Sequence, residues 1–293
     1  MSKANYHRLT IEEFGKRLLG SLDLDPIYVA LVGMELTPEE LGRWLLAYWC
    51  CYDAGVSSFI ADAGDPGEFW GRMELMAANE VASPLGGRWR RAAERRHWRG
   101  RNADASLAAL RHRYGDAPED MAYRCATGWT RSVPTPAGAP QTCAEVMSRA
   151  QEHTGFGPWI AFKVADMAER VMGVPVSFTD AEVFVFKDPA KAAQMAFMIH
   201  FDRVAEPPPV PEAVGWAVGY LTHEFRDLPA PPGWDRPVGL QEVETVLCKW
   251  KSHVNGHYPL YNDLVEIRHH ALPWRQHSRL AGRFIDNLPE VPQ

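Results

Sequence analysis

Seven arginines and one glutamate lie within Arg88-Trp89-Arg90-Arg91-Ala92-Ala93-Glu94-Arg95-Arg96-His97-Trp98-Arg99-Gly100-Arg101. Crowded guanidinium groups repel one another, and a bound polyanion relieves that repulsion. Arginine is also the side chain suited to bidentate phosphate contact. Read as a helix, the stretch puts Arg88, Arg91, Arg95 and Arg99 on one face, and Trp98 reaches back to Glu94 and Arg95 or offers a stacking surface. The bland alternative is a solvated basic helix with Glu94 bridging two arginines. The two tryptophans in the run favour phosphate or nucleic-acid contact.

A second stretch, Thr154-Gly155-Phe156-Gly157-Pro158-Trp159-Ile160-Ala161, separates two helical segments. Gly155 and Gly157 allow a tight turn, Pro158 suits a first helical position, and the N–H groups there would form an anion site. This is the form of a helix-hairpin-helix element, with Gly155, Phe156 and Gly157 expected on a DNA backbone beside Arg88 and Arg91. In the helix that follows, Ile160, Val164, Met167, Ala168 and Val171 make the buried stripe. Lys163, Asp166 and Arg170 share the other side, either as a salt-bridged surface ladder or as a lysine–carboxylate pair lining a cleft.

A third cluster, Lys249 to Asp263, holds Lys249, Lys251, His253, Asn255, His257, Tyr258 and Asp263 around Gly256. His253, His257 and Asp263 match no familiar metal-ligand spacing, so no metal site is assigned. Asp263 is either a helix cap or an active-site carboxylate beside Lys249 or Lys251.

These residues need elements to hold them. Thr10 with Glu13 and Thr37-Pro38 with Glu40 announce helix starts, and Asp65-Pro66-Gly67-Glu68 repeats the signal. Helices are expected over 102–121, from Thr142 to His153, from Pro158 to Gly173, over 187–204, Glu242–His253, Asp263–Leu272 and Gln276–Leu288. Residues 122–140 read as a loop, and the prolines at 207–211 and 229–232 as surface connections. Val174–Phe178 and Val183–Phe186 are β-prone. The fold class is therefore mostly α, with at most a small β hairpin. The expected division is 1–140 with the arginine stretch, 141–205 with the glycine turn, and 206–293 packed on the same core.

The 293 residues, 46% apolar, suffice for a real core, and a charged fraction of 23% excludes a disordered chain. A net charge of −6 argues against unselective coating of nucleic acid and leaves room for a local basic groove. Five cysteines without C-x-x-C spacing suggest buried thiols rather than a disulfide framework, a zinc knuckle or an iron–sulfur cluster. No apolar run is long enough for a membrane helix and no signal pattern opens the chain, so an intracellular protein is expected.

Four blocks carry a resemblance: Tyr48-Trp49-Cys50-Cys51-Tyr52-Asp53-Ala54-Gly55-Val56, Glu94-Arg95-Arg96-His97-Trp98-Arg99-Gly100, Gly155 through Met167, and Lys249-Trp250-Lys251 through Gly256-His257-Tyr258. Together they resemble the bacteriophage amino acid:DNA transferases, grouped with the α-glutamyl/putrescinyl-thymine pyrophosphorylases. The resemblance implies a step of thymine hypermodification in host cytoplasm. There the pyrophosphate of 5-pyrophosphomethyl-deoxyuridine in double-stranded DNA is replaced by the amine of a free amino acid, glycine favoured. It also implies a fold like that of helix-hairpin-helix DNA glycosylases, among which Lys163 falls where bifunctional members carry their lysine. Asp166 does not match their later aspartate.

On that chemistry Arg95, Arg96 and Arg99 are the candidates to neutralise pyrophosphate, and Trp98, Trp159 and Tyr258 could hold the ring. Lys163, Lys249 or Lys251 suit the amino acid's carboxylate, and Asp166, Asp263 or His97 its proton. No cofactor is assigned; a divalent cation such as Mg accompanying the pyrophosphate is compatible with the chemistry. A base within a duplex must be flipped out. A glycosylase or lyase using Lys163 and a non-catalytic DNA-binding module are the competing readings.

Overall fold

Thr10, Thr37 and Thr142 each accept a backbone N–H three residues on, while Glu13, Glu40 and Glu145 reach back to the cap. Each box satisfies orphan donors of a first turn and places an acid at the positive helix end. The computed structural model describes residues 9–95, 98–131, 140–202, 206–233 and 236–292. In chain order its helices are α1 (Ile11–Ser21), α2 (Pro26–Gly33), α3 (Pro38–Cys51), α4 (Ala54–Ala61), α5 (Pro66–Ala78), α6 (Arg101–Tyr114), α7 (Asp120–Thr127) and α8 (Cys143–Gln151). Then come α9 (Pro158–Arg170), α10 (Asp180–Val183), α11 (Lys187–His200), α12 (Val210–Glu224), α13 (Leu240–Val254), α14 (Asn262–Ala271) and α15 (Arg279–Asn287).

The protein is mostly α, as its periodicity indicates. Three details differ from expectation. The single helix over 102–121 is two, because Gly115 and Pro118 interrupt it, and α7 starts afresh at Asp120 and runs on into the expected loop. Pro207, Pro208 and Pro209 form a connection as expected, but Pro211 occupies an early position of α12. The small sheet among the described residues is not a hairpin. Instead β1 (Gln141–Thr142) pairs in parallel with β2 (Val176–Ser177), Gln141 opposite Val176 and Thr142 opposite Ser177. Strand pairing follows the tertiary neighbour rather than local propensity, and Val183 ends up in a helix.

Two compact units are formed, one from residues 1–29, 178–265 and 289–293, the other from 30–177 and 266–288. In the first, α1 packs on α13, and α11 on α12 and α13, around Phe14, Leu18 and Phe225. In the second, α3 packs on α4 and α7, and α8 on α9, with Trp44, Trp49 and Trp70 fully buried.

Candidate functional site

In the second unit the described residues of the arginine stretch do not form one helix. Among its described residues only Ala93–Arg95 makes a helical turn, of the 3-10 type, and regular helix begins at Arg101. The cause is the pair of tryptophans. Trp89 and Trp98 are 4% and 3% exposed, and their indole N–H groups go to Val81 O (3.1 Å) and Ser106 Oγ (3.2 Å). Trp98 is therefore an anchor of the stretch and not the open stacking surface expected of it.

Between these anchors the chain serves the ends of other helices. Arg91 gives Nη1–H to Trp98 O (2.9 Å) and Nη2–H to Ala77 O (2.8 Å) at the end of α5. Ala92 N–H reaches Cys51 O (3.1 Å), and Arg95 Nε–H reaches Cys50 O (3.2 Å), at the end of α3. Helix C-termini leave carbonyls unsatisfied and partly negative, so an arginine-rich strap suits them. This role accounts for Arg91, expected on DNA, by structure alone. Arg88, Arg99 and Arg101 are exposed and have no ion-pair partner among the described residues. Arg96 and His97 lie outside the described residues.

Arg95 carries the link to the glycine turn. Its Nη1–H donates to Gly155 O (3.2 Å), and its guanidinium lies 5.7 Å from the Phe156 ring and 5.9 Å from that of Trp98. The side chain is buried, its Nη2 has no hydrogen-bond partner among the described residues, and burial lowers its pKa. Gly155 has φ +87, and a Cβ there would sit 3.2 Å from both Trp98 Cδ1 and Ser106 Oγ. Both the turn and the close approach thus require glycine. The arginine stretch and the glycine turn are side by side.

Phe156 is buried, with its N–H on His153 O (3.1 Å). Gly157 caps α9 without a side chain, and Pro158 opens the helix. The first-turn N–H groups are left without a side-chain acceptor, at an exposed end. Trp159 is half-buried, edge-on to Tyr52 at 5.0 Å.

Farther along α9, Lys163 Nζ lies 3.3 Å from Asp166 Oδ2, and Arg170 Nη1 lies 3.7 Å from Oδ1. These side chains are 14%, 2% and 0% exposed in the order Lys163, Asp166, Arg170. The surface ladder is thereby corrected: the face is internal, because α9 is covered on more than one side. Trp159, Lys163, Asp166 and Arg170 follow one another at helical spacing along a single stripe.

The first unit holds the other polar cluster. Lys249 Nζ donates to Asp23 O (2.6 Å) and Leu24 O (2.6 Å) and pairs with Asp263 Oδ2 (2.8 Å). Burial opposes its charge, but Asp263, Asp23 and Asp25 outweigh burial and raise its pKa. Three acceptors use all three ammonium protons, so Lys249 is committed to the protein rather than open to a carboxylate ligand.

Asp23 is fully buried. Its Oδ1 accepts Leu264 N–H (2.9 Å) in the first turn of α14, and its Oδ2 accepts the Tyr258 hydroxyl (3.2 Å). Burial pushes its pKa up to about 6 against the pull of Lys249. Tyr258 is buried and also raised, by burial and then by Asp263 and Asp23. The capping proposed for Asp263 is thus done by Asp23, and Asp263 is the partner of Lys249. Lys251 pairs with exposed Asp188 at 2.6 Å. His253 Nδ1 faces Tyr258 O at 2.8 Å, while His257 is exposed. Among the described residues no three His, Cys, Asp or Glu side chains converge as metal ligands.

Three residues of these clusters escape sequence reasoning. Asp23 sits in Ser-Leu-Asp-Leu-Asp with no pattern to mark it. Asp53 caps α4 through Val56 N–H (2.9 Å) and pairs with Arg90 Nε (3.0 Å), and burial raises it to about 6. An Asp before Ala-Gly was the available cue for that cap. Tyr52 ends α3 in the left-handed region at φ 57. Cys50, Cys51, Cys125 and Cys143 are buried as expected, while Cys248 is half-buried; burial pushes Cys50, Cys51 and Cys125 up to about 12.

The profile of the amino acid:DNA transferase family matches residues 20–258. A glycinyltransferase of Pseudomonas phage PaMx11 is 50% identical over 99% of each chain. A putrescinyltransferase of Delftia phage PhiW-14 is 23% identical over 92% of this chain and 79% of its own.

Proposed function

The chain belongs to the amino acid:DNA transferases and is a DNA-modifying enzyme; from that premise we propose that it attaches glycine to DNA by displacing pyrophosphate from 5-pyrophosphomethyl-deoxyuridine. The 50% identity to a glycinyltransferase along the whole chain supports glycine as donor. The observation that carries the site is Arg95, a buried guanidinium that joins the arginine stretch to the glycine turn and keeps one nitrogen unpaired among the described residues. A buried cation without a carboxylate partner is costly, and a phosphate oxygen would compensate it.

The division of labour follows from charge. The exposed first turn of α9, in a helix-hairpin-helix arrangement with α8, takes the DNA backbone, with exposed Arg88 and Arg99 extending the contact. Arg95 and Arg99, with Arg96, neutralise the pyrophosphate as the C–O bond at the 5-methylene carbon breaks and the leaving group takes the bonding pair. A free amino acid carries a carboxylate and an ammonium close together. Lys163 and Asp166, 3.3 Å apart, offer the opposite charges at matching spacing. On this reading the donor displaces their mutual ion pair, Lys163 holds its carboxylate, and Asp166 takes the proton that frees the nitrogen to form the C–N bond. Arg170 keeps Asp166 oriented.

The test is mass spectrometry of nucleosides from pyrophosphorylated duplex incubated with glycine, alongside pyrophosphate release. D166N should abolish turnover, and K163M should raise the KM for glycine more than it lowers kcat. Full turnover by both variants removes the assignment, and abasic sites in place of a heavier nucleoside would mark a glycosylase.

A further inference from the structure

An aromatic ladder runs along α3 to its C-terminal end. Trp44 stacks on Tyr48 (4.9 Å, 24°) and Tyr48 on Tyr52 (4.4 Å, 28°), and Tyr52 then meets the Trp159 ring at 5.0 Å and 63°. Trp44 and Tyr48 are buried, whereas Tyr52 and Trp159 emerge half-exposed. One face of Tyr52 is covered by Tyr48, and Trp159 meets it edge-on. The two rings form a corner, the geometry in which a third flat ring can stack on one wall and receive the edge of the other.

Its location gives the corner a purpose. Trp159 is the second residue of α9, at the end where the first-turn N–H groups lack a side-chain cap. Arg95 binds Cys50 O, two residues before Tyr52, and Gly155 O, four residues before Trp159, so one buried guanidinium holds both walls. Tyr52 itself occupies a left-handed position, where glycine or asparagine is the usual cap and a bulky side chain is disfavoured. Its hydrogen bond to Tyr48 O and the Asp53 cap of α4 fix the backbone on either side. A tyrosine is kept there against local preference, and its ring meets that of Trp159 at the α9 N-terminus.

We propose that Tyr52 and Trp159 form a stacking platform for a nucleobase of the strand held at the α9 N-terminus. This rests on the DNA-backbone reading given above. The base is either the extruded pyrimidine or a neighbour of it; both present the same π-face, and stacking tolerates any base.

The experiment uses the full chain and duplexes carrying 2-aminopurine at the target position or at either flank. Wild-type protein should change the emission at one of these positions, which identifies the stacked base. Y52L and W159L should remove that change and weaken duplex binding about tenfold, within the range base–aromatic stacking supplies. Y52F, which keeps the ring, should restore most of what Y52L loses, and thermal melting shows whether each variant is folded. Wild-type binding with an emission change that survives Y52L and W159L, or with none at any position, overturns the platform alone. Absence of duplex binding by the wild type overturns the backbone reading and the platform with it.

Discussion

Replacing Asp23 with asparagine isolates the energetics of the Lys249 cluster. Burial moves the Asp23 carboxyl from 3.8 to about 6, which amounts to about 3 kcal/mol between its protonation states. The folded-state pKa is above the unfolded one. Between those two values the folded chain holds a proton that the unfolded chain has released, so stability falls as pH rises from about 4 to about 6 and levels off above. At pH 7 the folded protein thus carries a burial cost of about 3 kcal/mol that is absent below about pH 4. The side-chain amide of the D23N variant would keep an acceptor for Leu264 N–H and remove the titration. Urea unfolding of the first unit across this range should therefore show D23N gaining on wild type as pH rises, by about 2–3 kcal/mol in total. If the two proteins change in parallel at every pH, Asp23 does not titrate in that window and the account of the cluster is wrong.

Two further outcomes follow from the second unit. R88A and R99A remove exposed arginines without ion-pair partners among the described residues, so each should change stability by no more than about 0.5 kcal/mol. On the proposed DNA contact each should also lower the slope of log affinity against log salt by about 0.9, read by fluorescence anisotropy over a salt series. G155A introduces a Cβ at φ +87 against Trp98 and Ser106 and should cost about 1–3 kcal/mol in urea unfolding; an unchanged midpoint would mean the turn tolerates a side chain.

Local signals were legible where they act over three or four residues. The boxes at Thr10 and Thr37, the Asp65 cap and the start at Thr142 fix helix starts that form as written. Position relative to the rest of the chain was not legible. Spacing placed Lys163, Asp166 and Arg170 on one face, but only the packing of α9 shows that face to be internal. The arginine stretch reads as a helix by composition, yet Trp89 and Trp98 bind it to the core and the ends of α3 and α5 absorb Arg95 and Arg91. Asp23 had no cue, since its partners Tyr258 and Leu264 lie more than 200 residues away.

That last separation bears on how the protein is made. Asp23 leaves the ribosome more than 200 residues ahead of the helix it caps and of the lysine that holds its carbonyl. Until Lys249 and Leu264 emerge, α1 has no α13 to pack against and its apolar stripe must stay soluble or be shielded by a chaperone. A nascent chain stalled before residue 240 should accordingly present α1 to proteases, whatever the intervening segment has already achieved.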